Sequence, residues 1–264
     1  MSDRGNERAW GLHGPERPIT RAMPRDSSTA HRAGHSVARW TVCLLFACLA
    51  LEAATIAAGL SYRALLARLA AGAVLLPHEA AVIDARARAI ALLKLAAFSG
   101  TGIAWLTWLH RSYGNLAFVG SKRSRFTRSW AVGYWFIPPV NLVRPYQVMK
   151  DLWLRSDSLN DRDAYDSLPA PAFFSGWWGT FLTWGVLEWM VTFMERDARA
   201  PIELINATDV GILVNAVGVV AGVLAIKVVR EIDRRQQCFD VSPARQGGGA
   251  TQRGGNASAA LENY

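Results

Sequence analysis

Patterns of catalysis are scarce in this sequence. Its 264 residues include three cysteines and five histidines. Cys43 and Cys48 fall inside an apolar run and Cys238 in a polar tail, so no disulfide framework is implied and packing is their default role. His13, His31, His35, His78 and His110 are scattered, with no H-E-x-x-H or other metal-ligand spacing. No G-x-S-x-G turn and no phosphate-cradling glycine loop is present. The sequence therefore predicts no enzyme, no cofactor and no metal site.

Charge is scarce as well, at 19% against 51% hydrophobic residues, which excludes an ordinary soluble domain. Apolar residues concentrate between Trp40 and Val229. Four stretches are long enough to cross a bilayer: Trp40–Tyr62, about Ala89–His110, Ala172–Met194 and Val210–Val229. Roughly 20 helical residues at ~1.5 Å rise cover a hydrocarbon core of ~30 Å. No cleavable signal peptide is expected, because the first run starts near residue 40 and lacks a small-residue cleavage site. The expected fold is an all-α polytopic membrane helix bundle with four transmembrane helices, occupying residues 39–238. Polar tails, 1–38 and 239–264, flank it and are too apolar-poor to form a packed core, so they are expected to be disordered. The chain from Ala64 to Leu76 can continue the first helix. Pro77-His78-Glu79 then reads as a fresh helix start, well outside the bilayer, the equal alternative being a mobile linker between the two spans.

The net charge of +8 reports topology rather than nucleic acid binding. Basic residues gather in the N-terminal tail, in the connection between the second and third spans (Arg111, Lys122, Arg123, Arg125, Arg128, Arg144, Lys150, Arg155, Arg162) and after the fourth. The opposite side carries fewer, and those near Arg196 and Arg199 are offset by acids. Both termini are expected in the cytoplasm, with the chain multi-pass in the inner (plasma) membrane. Its expected partners are the bilayer itself, anionic lipids at the N-terminal arginines, and a second copy or another membrane protein. No nucleic acid is expected.

One apolar run cannot span. Between Trp130 and Trp153 the sequence is broken by Pro138-Pro139, and the ~10–14-residue length of the first part suits a re-entrant or interfacial segment. Two prolines remove amide donors and stop a helix, so the break must find polar partners in protein or water. Asn141 is placed to cap the next helix or to reach freed carbonyls. Leu142, Tyr146, Met149 and Trp153 then recur at i, i+4, i+7 and i+11. That pattern predicts an amphipathic helix along the interface, with Pro145 in its first turn.

These residues carry a resemblance. W-L-H-R-S-Y-G-N (Trp108, Arg111, Asn115), the core W-x-x-x-x-W-F-I-P-P-x-N-L-x-x-P-Y, a Trp-rich span and V-V-R-E-I-D-R-R-Q together resemble the bacterial family called domain of unknown function 4328. The resemblance covers roughly Trp40 to Gln237. It implies a membrane domain of several helices with no established activity, so no catalytic residue is carried over. The candidate element built on it is Arg111, Asn115, Trp130, Pro138, Pro139, Asn141, Arg144, Pro145 and Tyr146.

Charges within the spans form a second candidate. Glu52 sits near mid-depth; Lys94 and Glu188 share a level toward the outer side, Glu188 being ~22 Å along its span at ~1.5 Å per residue. Such residues face the bundle interior or water and often mark a ligand site or conduction path. A Lys94–Glu188 pair, with Glu52 as the other partner for Lys94, competes with the plainer reading in which both side chains snorkel outward. Gly218-x-x-x-Gly222 and the row Ala96, Gly100, Ala104 permit close helix approach, inside the bundle first and between copies second. Trp40, Trp108, Trp130, Trp153, Trp177 and Trp178 are expected as a belt at the cytoplasmic interface. The function expected is a non-enzymatic sensory, scaffolding or partner-binding membrane module, and the alternative is a small channel or transporter using Glu52, Lys94 and Glu188.

Overall fold

A computed structural model of the chain describes residues 26–116, 125–156 and 169–258, with side chains described over 36–116, 125–156 and 169–237. Residues 1–25 and 259–264 of the expected tails, with Lys122, Arg123 and Arg162, lie outside the described residues. The elements are α1 (Asp26–Ala70), α2 (Pro77–Leu116), α3 (Arg128–Gly133), a 3-10 turn (Val140–Leu142), α4 (Arg144–Arg155), α5 (Ala172–Asp197) and α6 (Pro201–Ser258). The described residues are all-helical, with no strand. Helix extends into both segments expected as tails, from Asp26 at one end and to Ser258 at the other.

Helix boundaries follow local chemistry. α1 ends in a left-handed glycine, Gly72 (φ 91°), whose N–H donates to Leu69 O (3.0 Å) while Ala73 N–H donates to Arg68 O (3.1 Å). This pairing satisfies carbonyls that a helix end would otherwise leave exposed. α2 starts at Pro77, as its sequence predicts, and the Glu79 carboxylate accepts the Leu76 N–H at 3.1 Å. α6 repeats the device: Pro201 begins it, and Glu203 accepts the N–H groups of Arg199 and Ala200. A carboxylate in each first turn holds amide donors that have no helical partner.

Three helices are long and apolar enough to cross a membrane: Ser36–Ala70 of α1, Pro77–Leu116 of α2 and Pro201–Gln237 of α6. The expected third span does not join them. Its helix, α5, has 26 residues, but Trp177, Trp178, Trp184 and Trp189 with interspersed Gly and Thr replace the aliphatic residues that raise hydropathy elsewhere.

The long helices form a row in the order α2, α1, α6, α5, each packed on the next. Close approach within the row uses the predicted glycine step. A Cβ on Gly218 would lie 2.6 Å from Trp184 Nε1 of α5, and one on Gly222 would lie 2.7 Å from Leu49 Cδ2 of α1. The G-x-x-x-G step therefore serves the interior of this bundle. Gly100 differs, since a Cβ there would meet nothing within 4 Å.

The core lies at one end, where α2 finishes and α5 begins. Trp108, Leu109, Val148, Met149, Leu152, Phe174, Trp177, Val229 and Ile232 are buried there. The expected Trp belt divides accordingly. Trp40 and Trp130 are exposed, whereas Trp108, Trp177 and Trp178 are core residues packed edge and face against their neighbours. Trp153 is half-buried, with the Arg235 guanidinium 4.0 Å above its ring.

Candidate functional site

The Pro-broken element does not cross the bundle. α3 is six residues long, the Pro138-Pro139 peptide is cis, and the chain turns through the 3-10 turn directly into α4. Phe136, Ile137, Pro138 and Pro139 are exposed, so the bend itself is not packed into the bundle as expected. Its flanks are. Trp135 and Tyr134 lie against the core, and Trp178 Nε1 donates to Leu142 O at 2.8 Å. That indole partners the carbonyl at the end of the 3-10 turn.

Asn141 is not the cap of α4. It sits inside the 3-10 turn, and the N-cap position of α4 is Val143, which makes no side-chain cap bond. Pro145 does occupy the first turn of α4, where its missing N–H costs nothing. The buried residues of α4 are Pro145, Val148, Met149, Asp151, Leu152 and Leu154, so of the predicted stripe Leu142, Tyr146, Met149 and Trp153 only Met149 is buried. Leu142 is exposed, and Tyr146 and Trp153 are half-buried. The shift arises because α4 docks on α2, α5 and α6 and so buries the i, i+3, i+4, i+7 face that meets them.

Arg111 is exposed and Asn115 half-buried, while Trp108, Ser112, Tyr113 and Gly114 face inward. Residues 111 and 115 share one helical face, and the residue that reaches α4, Tyr113, lies on another. Tyr113 Oη is 2.9 Å from Val148 O and 3.1 Å from Asp151 Oδ2, and its hydroxyl proton can be donated to either. Arg155 closes on Asp151 at 2.7 Å, and Gln236 of α6 donates to Ser112 O at 3.3 Å. Arg128 donates to Gly114 O at 3.0 Å. Arg144 donates to Gln147 at 3.0 Å and lies 5.7 Å over the Tyr134 ring, tying the two arms of the break together; Trp130 stacks obliquely on the same ring at 5.4 Å. These contacts lock α4 to the ends of α2 and α6.

The charges within the long helices do converge. Lys94 Nζ donates to Glu52 Oε2 at 3.1 Å, to Asn215 Oδ1 at 3.0 Å and, more weakly, to Glu188 Oε1 at 3.5 Å. The outward-snorkelling alternative is not what the structure adopts. Lys94 meets both candidate acids, drawn from α1 and α5, and α6 adds Asn215. Asn215 itself donates to Gly211 O at 2.6 Å. It was not anticipated, although an amide side chain in the middle of the otherwise apolar run Val210–Ile226 is a signal that could have found it.

This cluster opens on a cavity of about 720 Å³. α2 and α5, the two ends of the helix row, are not packed along their length, and side chains bridge the gap between them. Trp105 stacks on Trp177 (5.4 Å) at the α4 end, Phe98 meets Trp184 (6.0 Å) further along, and Lys94 reaches toward Glu188 beyond that. Phe98 and Trp189 line the cavity and are 53% and 66% exposed, so it opens to the surroundings of the bundle. The indole N–H groups of Trp105, Trp135 and Trp184 are buried without a hydrogen-bond partner. Among the described residues no group of His, Cys, Asp and Glu is placed to hold a metal ion.

A profile of the family described as Domain of unknown function (DUF4328) matches residues 71–234, and the chain belongs to that family. The matched region starts after α1, so it is shorter than the resemblance drawn from Trp40. No curated protein and no solved structure matched the chain.

Proposed function

We propose that this member of the DUF4328 family is a four-span, non-enzymatic membrane module that holds a ligand or partner group in the cavity between α2 and α5. α5 serves as the fourth span. Its 26 residues cover ~39 Å at ~1.5 Å each, enough for the ~30 Å core, and it packs along α6. The α4 end then faces the cytoplasm of the inner (plasma) membrane, where the basic connections gather and both termini lie. Trp130, Phe136 and Ile137, exposed there, seat the break at the lipid interface. A second copy or another membrane protein is the natural reader of such a module, and anionic lipids suit its basic tail.

The observation that carries this reading is the cavity: apolar walls of drug-ligand volume with one polar spot, Lys94 and its three acceptors. The alternative, a small channel or transporter, draws on the same convergence of Glu52, Lys94 and Glu188. Against it stands the stacked Trp105–Trp177 pair, about three helical turns from the charges, which blocks a polar path toward the α4 end. Ion-flux assays in proteoliposomes, on wild type and Glu188→Ala, separate the two. No flux above protein-free vesicles is expected; robust flux abolished by the substitution would replace the module with a transporter.

A further inference from the structure

We infer that the cavity between α2 and α5 takes a lipophilic molecule bearing a positive charge, with Glu188 as the counter-charge and aromatic rings as its walls. The inference rests on the reading of the cavity as a ligand site, and it adds the ligand's chemical class. It starts from the donors and acceptors of the cluster. An ammonium has three N–H donors and no acceptor, and Lys94 Nζ already faces three acceptors, on Glu52, Asn215 and Glu188. Lys94 therefore has no donor left for an anionic or acceptor ligand.

The surplus in the cluster is negative. Two carboxylates share one ammonium, and Asn215 contributes no charge. The surplus falls on Glu188, whose contact with Lys94 is the longest of the three and whose side chain is 33% exposed, against 10% for Glu52. Glu188 and Glu52 both line the cavity, so the surplus charge borders the space a ligand would occupy. Toward that end of the bundle Arg63 pairs with Asp209.

The walls suit the same ligand. Phe98, Phe181, Trp184 and Trp189 line the cavity, with Phe98 and Trp184 in ring contact at 6.0 Å and Phe181 and Trp184 at 6.2 Å. Aromatic faces attract cations, more strongly where water is excluded. Entry through the exposed rim beside Phe98 and Trp189 selects molecules already dissolved in the apolar phase, and the volume of about 720 Å³ admits a body of several rings or a branched chain.

The test uses the full chain in neutral-detergent micelles, titrated with tetraphenylphosphonium and, separately, with tetraphenylborate, an anion of nearly the same size and shape. Tryptophan quenching is followed after subtraction of protein-free micelles. The expected result is saturable binding of the phosphonium with affinity at least tenfold above that of the borate. Glu188→Gln is expected to weaken phosphonium binding about tenfold and to erase most of the preference, while Glu188→Asp keeps it. Equal or tighter borate binding by the wild type, saturable binding of neither ion, or phosphonium affinity unchanged in a folded Glu188→Gln would each overturn the inference. The wild-type comparison stands even where a variant does not fold. The ion-flux assay decides the reading beneath the inference, and this equilibrium titration decides the ligand class, so either can fail alone.

Discussion

The α4 end of the bundle and its opposite half are built from the same long helices but solve different problems. At the α4 end, four chain segments meet around fully buried Val148, Met149, Leu152, Phe174 and Ile232, and Tyr113 meets Asp151, Asp151 meets Arg155 and Leu142 O meets Trp178, while the indole N–H groups of Trp105, Trp135 and Trp153 are buried without a partner. In the opposite half α2 and α5 stand apart, and the gap holds an ammonium, two carboxylates and an amide beside a cavity. Dispersion and satisfied hydrogen bonds accumulate where side chains interdigitate, and a ligand site requires space that packing has not filled. The contrast therefore assigns stability to the α4 end and binding to the other.

The strongest way to break this comparison is to empty the packed end. Leu152→Ala deletes a side chain that is fully buried between α4 and its neighbours, and the cost expected is about 2–5 kcal/mol. Leu95→Ala, 64% exposed on α2 and lining the cavity, is expected to cost a small fraction of that. Thermal unfolding of both variants in the same micelles measures the difference. Equal losses would show that the two halves are not distinct in stability.

The charge cluster offers a second break. Lys94→Met leaves Glu52 facing Glu188 with no cation between them. A loss of about 2–3 kcal/mol is expected, below the ~3–5 kcal/mol of a fully buried pair because Glu188 is a third exposed. Adding Glu52→Gln to Lys94→Met removes one carboxylate and is expected to recover at least half of that loss. A double variant no more stable than Lys94→Met would mean the two acids and Lys94 are not energetically coupled.

How much of this was legible beforehand differs between the halves in the same way. Lys94, Glu52 and Glu188 could be nominated from sequence because a charge in an apolar span is rare and must find a partner, whatever the details of packing. The start of α2 at Pro77 was equally local, set by proline and a first-turn glutamate. The α4 end resisted for the opposite reason. Which face of α4 is buried depends on three helices remote in sequence, so the stripe through Leu142, Tyr146, Met149 and Trp153, drawn from α4 alone, caught Met149 but missed Val148 and Leu152. Arg111 and Asn115 were chosen for their polarity, whereas Tyr113 makes the hydrogen bonds to α4 and Ser112 O meets Gln236 of α6, contacts whose direction follows from where the helices dock. The third span was legible as a helix of crossing length, but its tryptophans serve ring-to-ring packing and lower the aliphatic content by which spans are recognised.

The smallest expected effect sharpens the comparison at single-atom scale. Gly218 and Gly100 both belong to small-residue rows in apolar helices, and from sequence they are equivalent. Their surroundings are not: a Cβ at 218 would press on the Trp184 indole at 2.6 Å, whereas one at 100 meets open space. Gly218→Ala must push Trp184 away from α6, and overpacking of this kind costs about 1–3 kcal/mol. Gly100→Ala removes backbone freedom without a clash and is expected to stabilise by up to ~1 kcal/mol, as alanine does over glycine within a helix. Trp184 also walls the cavity, so Gly218→Ala is expected to change phosphonium quenching, and Gly100→Ala to leave it as in the wild type. If both substitutions were neutral, the approach of α5 to α6 would be looser than the Trp184–Gly218 contact requires. The wall of the cavity would then have to be formed by something other than that fixed indole.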